Sequence, residues 1–306
     1  MKQYKYFALA LVVIIVIIVS LLSDPASESP TSIGPTATSS DTEVNKNLVQ
    51  ADGDVKVHMI DIGQGDSLLI QSNKDTILID GGNKGKGDEV LDYLEKNNVT
   101  KLTAVISTHP DADHIGGLAE IIRGIPVQAV YAPRVTHTTE AYKQFLLSVK
   151  ERALKIKIAK NGVQIPTKTA GLSLDFIGPT KEYSQSDLND WSAVLKMTHG
   201  TKKFLFTGDA ETPAEKDMLA FNLLEPVDVL KVSHHGAAEA SNTDYLQKLQ
   251  PKLAGISVGK GNRYDHPTTE TLKRLKKVGA TIYRTDQHGH IVFISNGKNI
   301  IVKVER

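Results

Sequence analysis

No cysteine occurs among the 306 residues. A disulfide framework, a thiolate metal site, a cysteine nucleophile and an acyl-cysteine lipid anchor are therefore excluded, and any metal must be held by His, Asp or Glu. A strong net charge is missing as well. The 36 Lys and Arg stand against 35 Asp and Glu, a formal +1, which argues against bulk coating of nucleic acid. No short-period repeat is present, so the chain does not read as a solenoid or propeller. Finally, no Lys or Arg falls between Lys5 and Lys46, and that gap contains the one long hydrophobic run.

The run covers residues 7–22, with Ser20 its only polar member. As a helix it spans roughly 24 Å, a little short of a ~30 Å hydrocarbon core, and Tyr4 and Tyr6 extend it into the interface. With Lys2 and Lys5 ahead of it, the positive-inside rule predicts residues 1–23 as an uncleaved transmembrane signal anchor. The bulk of the chain is then outside the cytoplasm. A cleaved signal peptide is the competing reading, but its best cut, after Ala26, puts Asp24 at a position that prefers a small residue. Either way the domain is exported. Residues 24–52, rich in Ser, Thr and Pro, are expected to form a disordered linker. Residues 53–306 remain as one large globular domain.

Charge is uneven along that domain. Residues 51–100 carry 5 basic and 10 acidic side chains, net −5, and residues 251–306 carry 11 and 4, net +7. The basic end either attracts a polyanion or is a solvated helix face.

Val55, Val57 and Met59 alternate with Lys56 and His58, which predicts a strand. Residues 67–71 and 76–80 read as a hairpin. Further strands are predicted over 103–107, 127–132, 155–159, 172–177, 193–198, 202–207, 227–233 and 254–258, with three short ones at the end. Helices are predicted over 88–97, 138–152 and 268–278, near 117–123 and 243–249, and after Thr212-Pro213, where proline suits a first turn. Meandering strands followed by βα units, in each half, predict an α/β fold of two sheets covered outside by helices.

Ionisable residues follow four of these strands directly: Asp80, His109, Asp209, and His234 with His235. Loops leaving rigid strand ends on one edge build a site. The densest segment is Thr108-His109-Pro110-Asp111-Ala112-Asp113-His114-Ile115-Gly116-Gly117. Two His with two carboxylates suit a divalent cation of intermediate hardness, Zn²⁺ or Mn²⁺. On an extended loop His109 and Asp111 point the same way, while Asp113 and His114 diverge, so that the latter face a second ion. Asp209 is placed to bridge two metals, and the His234–His235 pair offers one or two more imidazoles. Asp80 reads equally as part of the site or as a turn-stabilising carboxylate before Gly81-Gly82.

His109-x-Asp111-x-Asp113-His114 resembles the H-x-H-x-D-H signature of the metallo-β-lactamase fold, with Asp111 in place of the second His. The segments 57–67, 108–117, 206–209, 230–236, 262–267 and 283–289 are similar to the extracytoplasmic hydrolase domain of ComEC-type competence proteins. The likeness covers nearly all of 54–306; the polytopic channel part of that family has no counterpart in these residues. The resemblance implies a four-layer αββα sandwich. It implies one metal at His109 and Asp111, a second at Asp113, His114 and the His234/His235 segment, Asp209 bridging them, and Asp80 behind, orienting ligands. Many family members carry a further His before the bridging Asp. Here Asn189-Asp190-Trp191-Ser192 occupies that stretch, so one metal site is either under-coordinated or completed by Asp190, Ser192 or water, with Asp190 and Ser192 otherwise expected, like Asp80, to support the ligands from behind.

Paired cations polarise a substrate oxygen and activate water without any protein nucleophile, in keeping with the absence of cysteine. Asp113 and Asp209 are the expected catalytic carboxylates. His266 is a candidate general acid or leaving-group stabiliser, with loop capping as its alternative role. Lys260, Arg263 and Arg284 would neutralise phosphate. The expected function is a surface-anchored, dinuclear metal-dependent phosphodiesterase on DNA, single-stranded DNA being the expected partner. The alternatives are a phosphoester or choline-phosphate esterase, and a non-catalytic DNA-binding subunit of an uptake machine.

Overall fold

Val55, Val57 and Met59 of strand β1 (Val55–Met59) enter the core between two sheets, and the intervening residues face outward. His58 is nevertheless buried, because a helix covers that face and the Tyr93 hydroxyl lies 2.9 Å from its Nδ1. This computed structural model describes residues 53–306. The expected anchor, 1–23, and linker, 24–52, lie outside the described residues. Among the described residues no helix is long and apolar enough to cross a membrane.

The first half continues with β2 (Leu68–Gln71), β3 (Thr76–Ile79), α1 (Gly87–Lys96), β4 (Ala104–Ile106), α2 (Ala112–Ile115), α3 (Leu118–Gly124), β5 (Val130–Ala132), α4 (Glu140–Glu151) and β6 (Ile156–Ile158). The second half runs through β7 (Gln164–Ile165), β8 (Leu172–Phe176), β9 (Leu195–His199), β10 (Lys202–Phe206), α5 (Thr212–Ala220), β11 (Val229–Lys231), α6 (Thr243–Leu249), β12 (Leu253–Ile256), α7 (Thr269–Lys277), β13 (Thr281–Arg284), α8 (Thr285–His288), β14 (Ile291–Ser295) and β15 (Ile300–Val304). The eight-stranded sheet has the order β15-β14-β1-β2-β3-β4-β5-β6, and the seven-stranded sheet β13-β12-β11-β10-β9-β8-β7. In each, an antiparallel meander turns parallel, at β3–β4 and at β10–β11.

Apolar residues from both sheets, among them Met59, Ile106, Leu195 and Phe293, fill the space between them. Leu78, Val105 and Val130 face the other way onto Leu94, Ile121 and Phe145 of α1, α3 and α4. Leu205, Leu230 and Ile256 do the same toward Met218, Leu246 and Leu275 of α5, α6 and α7. Each fully buried aliphatic side chain contributes about 1.5–3 kcal/mol. The result is the four-layer αββα arrangement. Two single-turn helices, α2 and α8, and the two-residue β7 are too short to leave a periodic signature.

Glu215 of α5 is fully buried and accepts the backbone N–H groups of Ser241 (2.5 Å) and Asn242 (3.0 Å), tying α5 to the start of α6. Burial raises its carboxyl from 4.5 to about 7 despite those donors. The folded state therefore holds this proton when the unfolded chain has released it. The associated stability is complete below pH 4.5 and is lost as pH rises through 7, up to about 3 kcal/mol. Urea midpoints measured from pH 4.5 to 7.5 should fall across this window in the wild type, and Glu215→Gln should remove that slope.

Candidate metal centre

The strand ends singled out above meet in space. β3 runs into Asp80, β4 into His109, β10 into Asp209 and β11 into His235. β3 pairs in parallel with β4, and β10 with β11, so within each sheet the loops leave from one edge.

Three imidazoles face one another there. The ring centroids of His109 and His114 are 4.2 Å apart, and those of His114 and His235 5.3 Å. Each ring has a partner at Nδ1: Thr108 Oγ1 at 3.0 Å for His109, Asp80 Oδ2 at 2.8 Å for His114, and the Ser257 carbonyl at 2.9 Å for His235. Thr108 gives its own hydroxyl proton to Asp80 at 2.6 Å, so it accepts from His109. All three Nδ1 atoms are thus donors, and the Nε2 lone pairs are left for another partner. Those three Nε2 atoms are buried and make no hydrogen bond.

Carboxylates complete the donor set. Asp209 Oδ2 lies 3.1 Å from His114 Nε2 and 3.4 Å from His235 Nε2. Asp113 Oδ2 is 3.4 Å from His235 Nε2, and Asp111 Oδ2 is 3.6 Å from His109 Nε2. Ligand atoms of His109, His114 and Asp209 all fall within 4.8 Å of one another, and so do those of Asp113, His114 and His235. Neutral imidazoles and carboxylates converging in overlapping groups fit divalent cations of intermediate hardness.

The electrostatics agree with that fit. Burial pushes the Asp209 carboxyl up, but the His114 and His235 charges outweigh it and hold the group well below the carboxylate range. Asp113 behaves likewise, with burial overcome by His235 and His114, and in Asp111 burial is overcome by the His109 hydrogen bond. His114 is raised well above the usual imidazole range, because Asp209 and Asp80 outweigh its burial. A proton and a cation therefore compete for the His114 Nε2.

Several residues hold the ligands in place. Asp80 also accepts the Thr108 backbone N–H at 2.8 Å, so one carboxylate positions both His114 and the start of the 108–114 loop. Ser192 Oγ accepts the Asp209 N–H at 3.0 Å. Gly65 leaves room for the same loop, since a Cβ there would sit 2.2 Å from the Asp113 carbonyl oxygen. His234 and His235 are both left-handed, with φ of 46° and 52°, a conformation that costs of order 1–3 kcal/mol per residue. Asp80→Ala should weaken metal binding about 10–100-fold, measured by chelator competition, with the fold retained by circular dichroism.

Two buried residues escaped the sequence reading. Lys231, 2% exposed, places Nζ 2.5 Å from Asp66 Oδ2, 3.1 Å from the Gly208 carbonyl and 3.8 Å from Asp209 Oδ1. Burial would discharge it, but Asp66 and Asp209 hold its pKa above the usual lysine value. Asp66, Asp80 and His114 also form a compact donor group, and there the Lys231 ammonium supplies the positive charge. The available signals were a lone lysine in the apolar strand Val229-Leu-Lys231 and, far from it in sequence, the aspartate that ends the Gly63-Gln-Gly-Asp66 turn.

Other expectations need correction. The 108–114 segment is extended only as far as Asp111; residues 112–115 form α2, with Asp111 at its N-cap. Asp113 and His114 consequently converge on His235 instead of diverging. His234 lies at the rim, with Nδ1 2.9 Å from Glu211 Oε1 and Nε2 3.8 Å from Asp209 Oδ2, whereas His235 is buried in the cluster. Asp190 is buried, and its Oδ1 accepts the backbone N–H groups of Glu211 and Ala214, both at 3.2 Å, at the start of α5. Arg284 is paired with both oxygens of Asp286, at 3.0 and 2.6 Å. Lys260 and Arg263 are exposed on the 259–267 loop. The His266 ring is 5.5 Å from that of His234 and has a buried, unpartnered Nδ1. His199 ends β9, with its Nδ1 2.9 Å from Ser295 Oγ across the two sheets.

A four-layer sandwich with a His/Asp cluster at its sheet edges defines a class of metal-dependent hydrolase folds. Residues 60–260 match the family model described as Metallo-beta-lactamase superfamily, and the chain belongs to that superfamily. It is 32% identical over 256 residues to ComE operon protein 3 of Bacillus subtilis (strain 168), covering 78% of this chain and 33% of that protein. It is 27% identical over 246 residues to competence protein ComA of Neisseria gonorrhoeae, covering 79% and 32%. The chain thus spans about a third of the length of these curated relatives. Among solved structures, the metallo-beta-lactamase fold protein YhfI from Bacillus subtilis superposes with a TM-score of 0.54 at 13% identity, over 80% of this chain and 100% of that one. That likeness is one of fold.

Proposed function

We propose that this protein is a membrane-anchored, extracytoplasmic, dinuclear metal-dependent phosphodiesterase that acts on DNA strands. The observation that carries the reading is the set of three buried imidazole Nε2 atoms, each with its Nδ1 proton committed elsewhere, gathered around Asp209 with no hydrogen-bond partner. His109, Asp111 and Asp209 would hold one cation, and Asp113, His114, Asp209 and His235 the other. The cations, when bound, supply Lewis acidity toward a phosphoryl oxygen and activate water near neutral pH. The chain's own part is to aim and to neutralise. Asp80 and Thr108 keep two imidazoles turned inward. Lys260 and Arg263 draw the phosphate chain toward the cluster. His266, lowered by burial and by the His234 and His235 charges, stands neutral and offers a ring N–H to the departing oxygen. The relation to proteins named for competence favours DNA among phosphodiesters, and the hydrophobic run at 7–22 would hold the domain at the membrane surface.

The test is hydrolysis of a single-stranded oligonucleotide by the full chain with Mn²⁺ or Zn²⁺, followed on a denaturing gel beside elemental analysis. A strand left intact across a range of metals overturns the nuclease reading. Fewer than one bound ion per chain favours a non-catalytic DNA-binding role instead.

One observation supports a second reading. A pocket of about 640 Å³ opens beside the cluster and is lined by Asp111, Asp187, Asp190 and Glu211. Such a wall suits a cationic headgroup, as in a choline-phosphate ester. Turnover of p-nitrophenyl phosphocholine without DNA cleavage would select it.

A further inference from the structure

The geometry points to Tyr264 as a base-stacking residue that makes this site select strands with unpaired bases. The inference rests on the phosphodiesterase reading above and adds to it what the site recognises besides phosphate.

The cluster has two unlike walls. On one side lies the acidic pocket of Asp111, Asp187, Asp190 and Glu211, which repels a phosphate chain. His234 separates the walls, contacting Glu211 through Nδ1 and standing 5.5 Å from the His266 ring. Beyond His266 is the 259–267 loop, with Lys260 and Arg263 exposed. A polyanion reaching the cluster therefore approaches over this loop.

Tyr264 is the loop's aromatic residue, and it is 48% exposed. Its ring lies near-parallel to that of His266, with centroids 5.7 Å apart and planes 26° from one another. The Arg263 guanidinium is 4.9 Å from the Tyr264 centroid and donates to its hydroxyl at 2.7 Å. Almost half of the side chain stays open to solvent with both neighbours in place. The loop beneath is braced by one side chain. Asn262 Nδ2 donates to the carbonyls of Gly259 (3.1 Å) and His266 (2.7 Å), and Asn262 Oδ1 accepts from the Tyr264 and His266 N–H groups, both at 3.1 Å. Gly259 is fastened in turn to Gln64 Oε1 at 3.2 Å, beside the loop that carries Asp66. An exposed aromatic ring with an arginine against it, on a braced loop at the edge of a metal cluster, is a platform for a nucleobase. A base paired within a duplex keeps its faces covered by its neighbours, so only an unpaired base can use it.

The test is binding by the as-purified full chain to fluorescein-labelled, phosphorothioate-linked strands that resist hydrolysis, read by anisotropy at fixed salt. One strand carries bases and one of equal length is abasic. The wild type should bind the base-bearing strand about tenfold more tightly. Tyr264→Ala should lose that difference while its abasic-strand affinity stays put, and Tyr264→Phe should retain it, since stacking needs the ring and not the hydroxyl. Equal wild-type affinity for both strands, no binding to either, or an equal loss on both in Tyr264→Ala overturns the proposal. Cleavage of ordinary strands with Mn²⁺ is scored separately. Cleavage without base-dependent binding sinks the Tyr264 assignment alone, and base-dependent binding without cleavage sinks the phosphodiesterase reading alone.

Discussion

Replacing Asp209 with alanine should reduce bound metal to at most one ion per chain and cut phosphodiester hydrolysis by at least about a thousandfold. Asp209 lies between the two donor groups, within 3.1 Å of His114 Nε2 and 3.4 Å of His235 Nε2. Its backbone is fastened by Ser192, and a glycine precedes it at Gly208, where φ is +52° and a Cβ would come 2.9 Å from that of Thr108. Two of the neighbouring carboxylates are already engaged, Asp66 with Lys231 and Asp80 with His114 and Thr108. Elemental analysis beside oligonucleotide hydrolysis checks the prediction. Two ions retained in Asp209→Ala would show that the bridging assignment is wrong. Ser192→Ala, which keeps the carboxylate and removes only its support, should have a far smaller effect.

Lys231→Met should destabilise the fold by about 3–5 kcal/mol, because it strands a buried carboxylate. Asp66 and Lys231 are both about 1% exposed at their side chains and lie 2.5 Å apart, and the lysine also fills the coordination of the Gly208 carbonyl. The double variant Asp66→Leu/Lys231→Met removes both charges and should recover much of the loss, since the cost lies in leaving one partner alone. Urea midpoints of the two single variants and the double variant close the cycle. A loss below about 1 kcal/mol in Lys231→Met would mean that Asp66 is discharged by taking up a proton. The same substitution removes a permanent positive charge 3.8 Å from Asp209 Oδ1, so it should also tighten any cation that the variant still binds.

The elements that sequence alone located are the long or strongly periodic ones. The reading over 243–249 coincides with α6, and those over 88–97, 138–152 and 268–278 fall within about two residues of α1, α4 and α7. Their apolar positions recur at helical spacing because one face must pack on a sheet. The misreading of α2 has a local cause. One turn of helix offers no periodicity, and the His and Asp residues within it were weighed as ligands on an extended loop. The partners of Asp190 and Arg284, the α5 amides and Asp286, are not legible in sequence for a related reason: residue type does not disclose whether a charge is already satisfied.

Sequence by itself determined the chemistry available: no thiol, a dense His/Asp segment, and further carboxylates and imidazoles placed at strand ends. It also determined the two-sheet plan, because alternation and helical spacing are consequences of which faces must leave water. Tertiary structure decided which of these groups meet. It buried His235 in the cluster and left His234 at the rim, engaged Asp190 with the start of α5, set three imidazole tautomers through Thr108, Asp80 and Ser257, and placed a buried ammonium beside the carboxylates. Those choices depend on strand register and on left-handed turns that bring residues more than a hundred positions apart within a few ångströms, and no local pattern encodes such distances.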